Sequence, residues 1–446
     1  VIESALIRSH LAVAEAVLPR LPGSQLGWLV RARREALAEL AREGLPRARD
    51  ELWKYTALRS LQQRNFALGD SAASTQPIEA SALRLVGAGR ATRLVFVNGV
   101  LRAELSSLHG LPEGVSLVPL SAALAASDAS WEFALARAFR GRGEGFSSLN
   151  AAFASEGAVL RVAEGVALAA PVHLLFIGSS SEGDCAWHVR NLIDLGRGAR
   201  AALIEQHVGV GAHRNLATVV NQWRLAAESR LTHVRIQNEA ADANLIARTA
   251  VEVGAAAVFE STTLELGAAL SRLDLEVELC GSGARARTRG VVAVRQRRSA
   301  DVRLAIAHRA TATTSDSLWR GVADERGRAT FAGAITVAAT APGSDAQLSS
   351  KNLLLSPHAE INTRPVLEID VDEVKASHGA TVGQLDERAL FYLRSRGIGI
   401  TQARSMLTFA FCRAALAEGG DSALRETLEA LLAAQLPRAD DGEFLA

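Results

Sequence analysis

Hydrophobic positions change their period four times along this chain, and each change marks a switch between helical and strand-like segments. From Ser4 to about Gly44 the apolar residues recur at helical spacing in two amphipathic segments, separated by the breakers Pro19, Pro22 and Gly23. The second segment runs through Trp28, Leu29, Leu37 and Leu40, with Arg31, Arg33, Arg34 and Glu35 for its wet face. Residues 45 to 61 (LPRARDELWKYTALRSL) hold an aromatic pair, Trp53 and Tyr55, which suits a packed turn of helix as well as a ligand site. Residues 69 to 82 are rich in Ser, Ala, Thr and Gln and predict a surface loop. Arg93 to Gly99 predicts a strand closed by an Asn98-Gly99 hairpin turn, and helical character returns over Leu120–Phe139 and Ser147–Ala154.

From Ala158 to about Val371 helix signals are scarce. Short apolar runs recur at Val172–Ile177, Ala201–Ile204, Leu231–Ile236, Leu273–Leu279, Val302–Ile306 and Leu353–Leu355. Turn-like insertions lie between them, as in LGRGARAAL (195 to 203), VGAAAVF (253 to 259), CGSGARART (280 to 288) and ERGRATF (325 to 331). The spacing, often about 30 residues, points to repeated coils or hairpins rather than βαβ units. Strands without crossover helices must hide their sheet edges, and stacking successive coils leaves only the two ends open. A solenoid is therefore expected, with helical regions as caps; a sandwich of the same strands is the alternative.

The stretch Asp370–Gly399 joins the two regimes. Leu367, Ile369 and Val371 alternate as a strand does, and the pattern then breaks into small and polar residues from Lys375 to Gly383 around His378. Asp386 and Glu387 suit the start of a helix through Leu390, Phe391 and Leu393 that Gly397 closes. Two further amphipathic segments follow at Thr401–Ala417 and Ser422–Leu436, and the acidic end, Pro437–Ala446, is expected to fray.

Composition narrows the chemistry. The 446 residues carry 49 basic and 48 acidic side chains, so a net charge of +1 gives no bulk reason to expect nucleic acid. Lys54, Lys351 and Lys375 are the only lysines. No run approaches the roughly 20 apolar residues of a membrane span, and Glu3, Arg8 and Glu15 interrupt the first apolar segment against a signal-peptide layout. A soluble, cytoplasmic protein is expected. Cys185, Cys280 and Cys412 form no CxxC pair, which argues against a disulfide framework or a local zinc motif.

No P-loop, GxSxG elbow or HExxH helix occurs, and the glycine-rich CGSGARARTRG lacks the strand, helix and acidic partner of a dinucleotide site. Glu276 and Glu278, two apart on one strand face, suit a solvated face better than an acid/base pair. His173, His188, His207, His213, His233 and His308 each fit a hydrogen-bonded surface histidine; convergence of His207 and His213 on a metal is the sharper alternative. Cys280 and Cys412 are read as small core side chains, with a reactive thiolate as the alternative. His378 stands apart, since it follows a strand, lies among residues too small to cover it, and has Lys375 nearby.

Three blocks carry a family resemblance: DELWKYTALRSL (50 to 61), SDSLWRGVADERGRATFAGAITV (315 to 337) and SDAQLSSKNLLLSPHAEINTRPVLEIDVDEVKASHGATVGQLDERALFYLRSRGI (344 to 398). Together they resemble the SufB/SufD family of iron-sulfur cluster assembly scaffolds, on its SufD side rather than its SufB side. The resemblance implies a mainly β chain: a right-handed parallel β-helix core (158–384) between an N-terminal helical and mixed region (1–157) and a C-terminal helical region (385–446). It implies a non-catalytic scaffold that pairs with a SufB-like subunit, docks a SufC-like ABC ATPase, and forms a possible homodimer when isolated. No cofactor is expected on the isolated chain; a transient iron-sulfur cluster, and possible flavin, belong to the complex.

The resemblance also assigns residues. His378 matches the family histidine at the subunit interface, where an imidazole could ligate iron. Lys375, Ser377 and Thr381 share that interface, and Ala376 stands where the familiar form often has cysteine. Leu390, Phe391, Tyr392, Arg394, Met406 and Phe409 are the expected ATPase-docking positions. A β-solenoid enzyme acting on carbohydrate or acyl substrates is the alternative from another class, although its groove of Asp, Lys or Arg, or strict six-residue repeat, is not visible.

Overall fold

A computed structural model describes residues 4–69, 78, 92–181, 183–416 and 422–436. Most of the 69–82 stretch, and all of Pro437–Ala446, lie outside the described residues. The chain is mainly β, a parallel solenoid of about 7 turns with helices at its two flanks. Each turn contributes one strand to each of two sheets, so each strand inside the stack pairs with the strand two ahead and two behind. Arg200 lies beside Arg230, Arg230 beside Val258, and Val258 beside Arg285. The expected spacing of about 30 residues is this rung length.

Many rungs hide behind weak strand signals. Arg285–Val294 and Arg328–Val337 are full strands, although Arg, Ala and Gly made their first halves read as turns. Two of their inward positions, Gly290 and Gly333, hold no side chain because larger neighbouring ones fill the space. Gly290 pairs in register with Trp319, whose indole lies where a Cβ on residue 290 would fall within 2.2 Å. Trp319 is itself 1% exposed. The hairpin at Asn98-Gly99 forms as expected, both residues having positive φ (47° and 79°) between the antiparallel strands Thr92–Val97 and Val100–Leu101.

The two ends of the solenoid differ. At the first, the antiparallel strands Val115–Pro119 and Ala158–Val162 close one sheet, and the hairpin closes the other. The helices Ala5–Val17, Gly27–Glu43 and Gly145–Phe153 add apolar cover along the adjoining flank, where Phe146, Leu149 and Phe153 pack on Ala186, Leu216 and Ile246. At the second end nothing among the described residues covers the last rung. The expected C-terminal cap lies elsewhere: Ile400–Arg413 and Ser422–Gln435 lay Cys412, Leu428 and Leu432 across the outer face of the second sheet, on Val234, Ile236, Leu264 and Val291. Apolar residues on that face demanded cover more strongly than the end did.

The interior is not uniformly apolar. The six histidines expected at the surface, His173, His188, His207, His213, His233 and His308, are all buried. A polar spine runs inside the solenoid, where Asn191, Asn221 and Thr249 stack in register and bond side chain to side chain at 2.8 and 3.0 Å. Across from them Glu205 accepts from His207 Nε2 at 2.7 Å and Asn221 Nδ2 at 2.9 Å, with His233 Nε2 at 3.3 Å. Burial alone would raise the Glu205 carboxyl; the donors from His207 and His233, with Arg235 nearby, outweigh it and hold it well below its usual range. His207 therefore pairs with Glu205, while His213 lies 3.6 Å from Glu239. The two histidines do not converge, and among the described residues no group of three or more His, Cys, Asp or Glu is placed to hold a metal ion.

Burial lowers His173, His213 and His308 to about 4. The native state then stays neutral at these sites while the unfolded chain takes up protons below about 6.5, so stability present at neutral pH is lost as pH falls toward 4. Urea midpoints should fall between pH 7 and pH 5, and His308→Asn should lose less over that interval than the parent. Equal losses in both would show that His308 does not drive the slope.

Candidate functional site

The stretch around His378 is a strand, not a loop. Val374–Gly383 forms the last strand of the second sheet, pairing in parallel with Ser344–Leu354 over ten positions from Ser344↔Val374 to Leu353↔Gly383. Its pattern was hard to read because the strand has a neighbour on one side only, so its core-facing positions need not be large. Alternation places Val374, Ala376, His378, Ala380 and Val382 on the inward side, and Lys375, Ser377 and Thr381 on the outward side. The expected interface set is thus split by the pleat. His378 follows Leu348 in its column, a residue 3% exposed in the main core, yet His378 is exposed because no rung lies beyond it.

The backbone of this strand is divided in the same way. Along the sheet, Arg230, Val258, Arg285, Thr314 and Asp345 donate their N–H groups to the preceding rung, and Lys375 continues that column. Residues 376, 378, 380 and 382 consequently aim N–H and C=O at the open edge. Thr381, on the other phase, accepts from Asn352 Nδ2 at 2.9 Å within the fold.

The companion strand Glu360–Ile369 ends the first sheet and was the part of the site that residue chemistry did not flag. Glu360 and Asp370 donate back to Gly327 and Val337, so the odd-numbered residues between them face outward along the edge. Pro365 sits on that phase, where its missing N–H breaks no internal bond. A proline inside the alternating NTRPVLEI segment was the available signal of an edge strand. Between the two strands the end of the core shows: Ile361, Leu367, Val371, Val374 and Ala376 are only partly buried, and Ile369 and Val382 are 40% and 42% exposed.

Beyond the strand, Asp386 caps the helix Glu387–Ser395 by accepting from Arg388 N at 2.8 Å, and Gly397 follows with φ +86°. None of this helix's residues is buried. Phe391 and Tyr392 are 74% and 58% exposed, and Arg394 and Met406 are exposed as well. Leu390 is half-buried in a groove with Leu385 and Arg404. Phe409 is turned the other way, packed against the cluster that joins the tail to the second sheet.

The cysteines lie apart from this end. Cys185 and Cys412 are buried, and burial pushes the Cys412 thiol up to about 12. Cys280 is not the core residue expected but an exposed one, because the turn begins immediately after Leu279. Burial and then the nearby Glu278 and Glu252 raise its thiol, so it is no activated nucleophile either. Glu276 bonds Arg248 Nη2 at 2.8 Å on the outer face, as a solvated strand face would. Of the aromatic pair, Trp53 is buried and Tyr55 is 43% exposed.

Comparison with known proteins accords with this geometry. Residues 176–411 match the model described as SUF system FeS cluster assembly, SufBD core domain, and residues 21–174 match the SufBD protein N-terminal region. The chain is 31% identical over 404 residues to the iron-sulfur cluster assembly protein SufD of Escherichia coli, covering 90% of this chain and 92% of that one. It is 29% identical over 399 residues to an iron-sulfur cluster assembly SufBD family protein of Synechocystis, covering 87% of each. A SufBD family protein of Mycobacterium leprae is 25% identical over 422 residues, 93% of this chain and 96% of its own. By fold, by terminal strand and by these matches, the chain belongs to the SufB/SufD family of the SUF system of iron-sulfur cluster assembly.

Proposed function

We propose that this chain is a SufD-type scaffold subunit on which iron-sulfur clusters are assembled in the cytoplasm, without catalysing a reaction by itself. The observation that carries the proposal is the bare last rung. Every earlier strand of the solenoid is paired on both edges, whereas Glu360–Ile369 and Val374–Gly383 leave one edge each unpaired above a partly exposed apolar core. Such an edge invites strand addition, and a SufB-like solenoid offers the matching surface. A second copy of the chain occupies the same edge when the SufB-like subunit is absent.

His378 then lies inside the joint, its imidazole at the end of the core where a partner's side chains arrive. Ala376 is the next inward position on the same strand, about 7 Å away along the chain, so a cysteine there would stand beside the imidazole. With alanine in its place, with Cys185 and Cys412 buried, and with exposed Cys280 three rungs back from this end, the cluster's thiolates come from the partner. The exposed helix Glu387–Ser395 and Met406 serve a SufC-like ABC ATPase, through Phe391 and Tyr392 as aromatic anchors. Truncation at residue 385 is a poor probe of this docking, since it strips the tail from Val234, Ile236 and Leu264 and opens the second sheet.

Co-expression with SufB-like and SufC-like partners tests each part separately. The parent chain should co-purify with both. Ala380→Pro removes an N–H that faces the open edge, as Pro365 already does on the neighbouring strand, and should lose the SufB-like partner while the fold survives. His378→Ala should keep both partners and lower the iron and sulfide recovered with the complex several-fold. Phe391→Asp with Tyr392→Asp should lose the ATPase alone. A parent chain that stays alone would overturn the scaffold reading, and unchanged cluster yield in His378→Ala would remove that residue from the site.

A further inference from the structure

Beside the open end, the outer face of the first sheet carries a cleft of about 250 Å3. Its floor is built from three successive rungs, Ser299–His308, Arg328–Val337 and Glu360–Ile369. Register stacks Arg303, Ala332 and Arg364 in one column, and Ala305, Ala334 and Val366 in the next. Arg303 and Arg364 are therefore two strand spacings apart, about 10 Å, with only an alanine methyl between them. The facing wall is the segment holding Leu52 and Tyr55, which are 48% and 43% exposed.

That wall is held in place from below. Trp53 lies over the Arg272 guanidinium, 3.7 Å from carbon to ring centroid, and Thr56 donates its hydroxyl to Asp301. Arg272 Nη1 bonds Asp301 at 2.7 Å, so this carboxylate is already committed. Arg364 is committed as well, to Glu51 across the mouth of the cleft. Arg303 is different: among the described residues it has no ion-pair or hydrogen-bond partner. A half-buried arginine beside an alanine floor and an aromatic wall presents a cation without an anion of its own.

We propose that this cleft binds a small organic anion with a single planar ring, its carboxylate on Arg303 and its ring over Ala332 and Ala334 against Tyr55 and Leu52. Guanidinium geometry favours a planar two-oxygen acceptor, and the methyl floor leaves room for a ring lying flat. The volume is below the roughly 300–1,000 Å3 of sites for drug-sized ligands, which limits the occupant to one ring and excludes a dinucleotide. Glu368 at the far end disfavours a second negative charge on the ligand. Every lining residue belongs to the single chain, so its test uses the full chain alone.

The probe is 4-bromobenzoate, with neutral 4-bromobenzamide as its control. Calorimetry should find one site for the benzoate per chain, at least tenfold weaker for the amide. Arg303→Gln and Tyr55→Ala should each weaken the benzoate at least tenfold, and anomalous scattering from a soaked crystal should place the bromine between Tyr55 and Ala334. Equal affinity for acid and amide, an unaltered affinity in Arg303→Gln with native-like circular dichroism, or bromine located only outside the cleft would overturn the proposal.

Discussion

A β-strand has two edges, and each must find partners for its N–H and C=O groups or leave them to water. In this chain every rung but the last resolves that demand by stacking on the next, and the fold follows from it. The parallel register repeats about every 30 residues, side chains stack in columns, and turns gather along the flanks. Helices Ile400–Arg413 and Ser422–Gln435 are drawn to the flank where outward positions are apolar. The first end is closed by a hairpin on one sheet and an antiparallel strand pair on the other. At the second the demand is left unmet, and the residues the family resemblance singles out lie there.

Polar groups are admitted to the interior by the same stacking. Asn191, Asn221 and Thr249 satisfy one another along a column, and Glu205 is held by His207 on its own strand, His233 on the next rung and Asn221 from across the core. A buried carboxylate on its own would be costly, whereas in a stack each rung supplies the donors that the next one needs. The column arrangement also accounts for the pairing of Gly290 with Trp319, where one rung gives up its side chain so that the next can place a large one.

Much of this was legible in the sequence, for identifiable reasons. The solenoid could be inferred because strands without crossover helices must bury their edges, and the hairpin at Asn98-Gly99 and the cap at Asp386 announced themselves by residue type. The histidines were misplaced at the surface because a histidine in an isolated strand looks solvated; His207 is held by Glu205 on its own buried strand, and His188 by Thr218 on the adjoining rung beneath the N-terminal helix that carries His10. Lys375–Gly383 read as a break because an edge strand has less to bury, so its periodicity fades. The tail helices looked like end caps, yet Ile236, Leu264 and Val291 on the flank drew them sideways. His378 was recognisable by its setting and by resemblance, but its separation from Lys375, Ser377 and Thr381 by the pleat needed the register.

The central claim is that the last rung is an open edge built to be completed by another chain. Amide hydrogen exchange measures it most directly, by comparing the isolated chain with the chain bound to a SufB-like partner. The amides of Ala376, His378, Ala380 and Val382 should exchange rapidly in the former and become protected by at least a hundredfold in the latter, while Lys375, Ser377 and Thr381, bonded inward already, change far less. Protection confined to the helices after residue 385, with these four edge amides still exchanging rapidly in the complex, would contradict it.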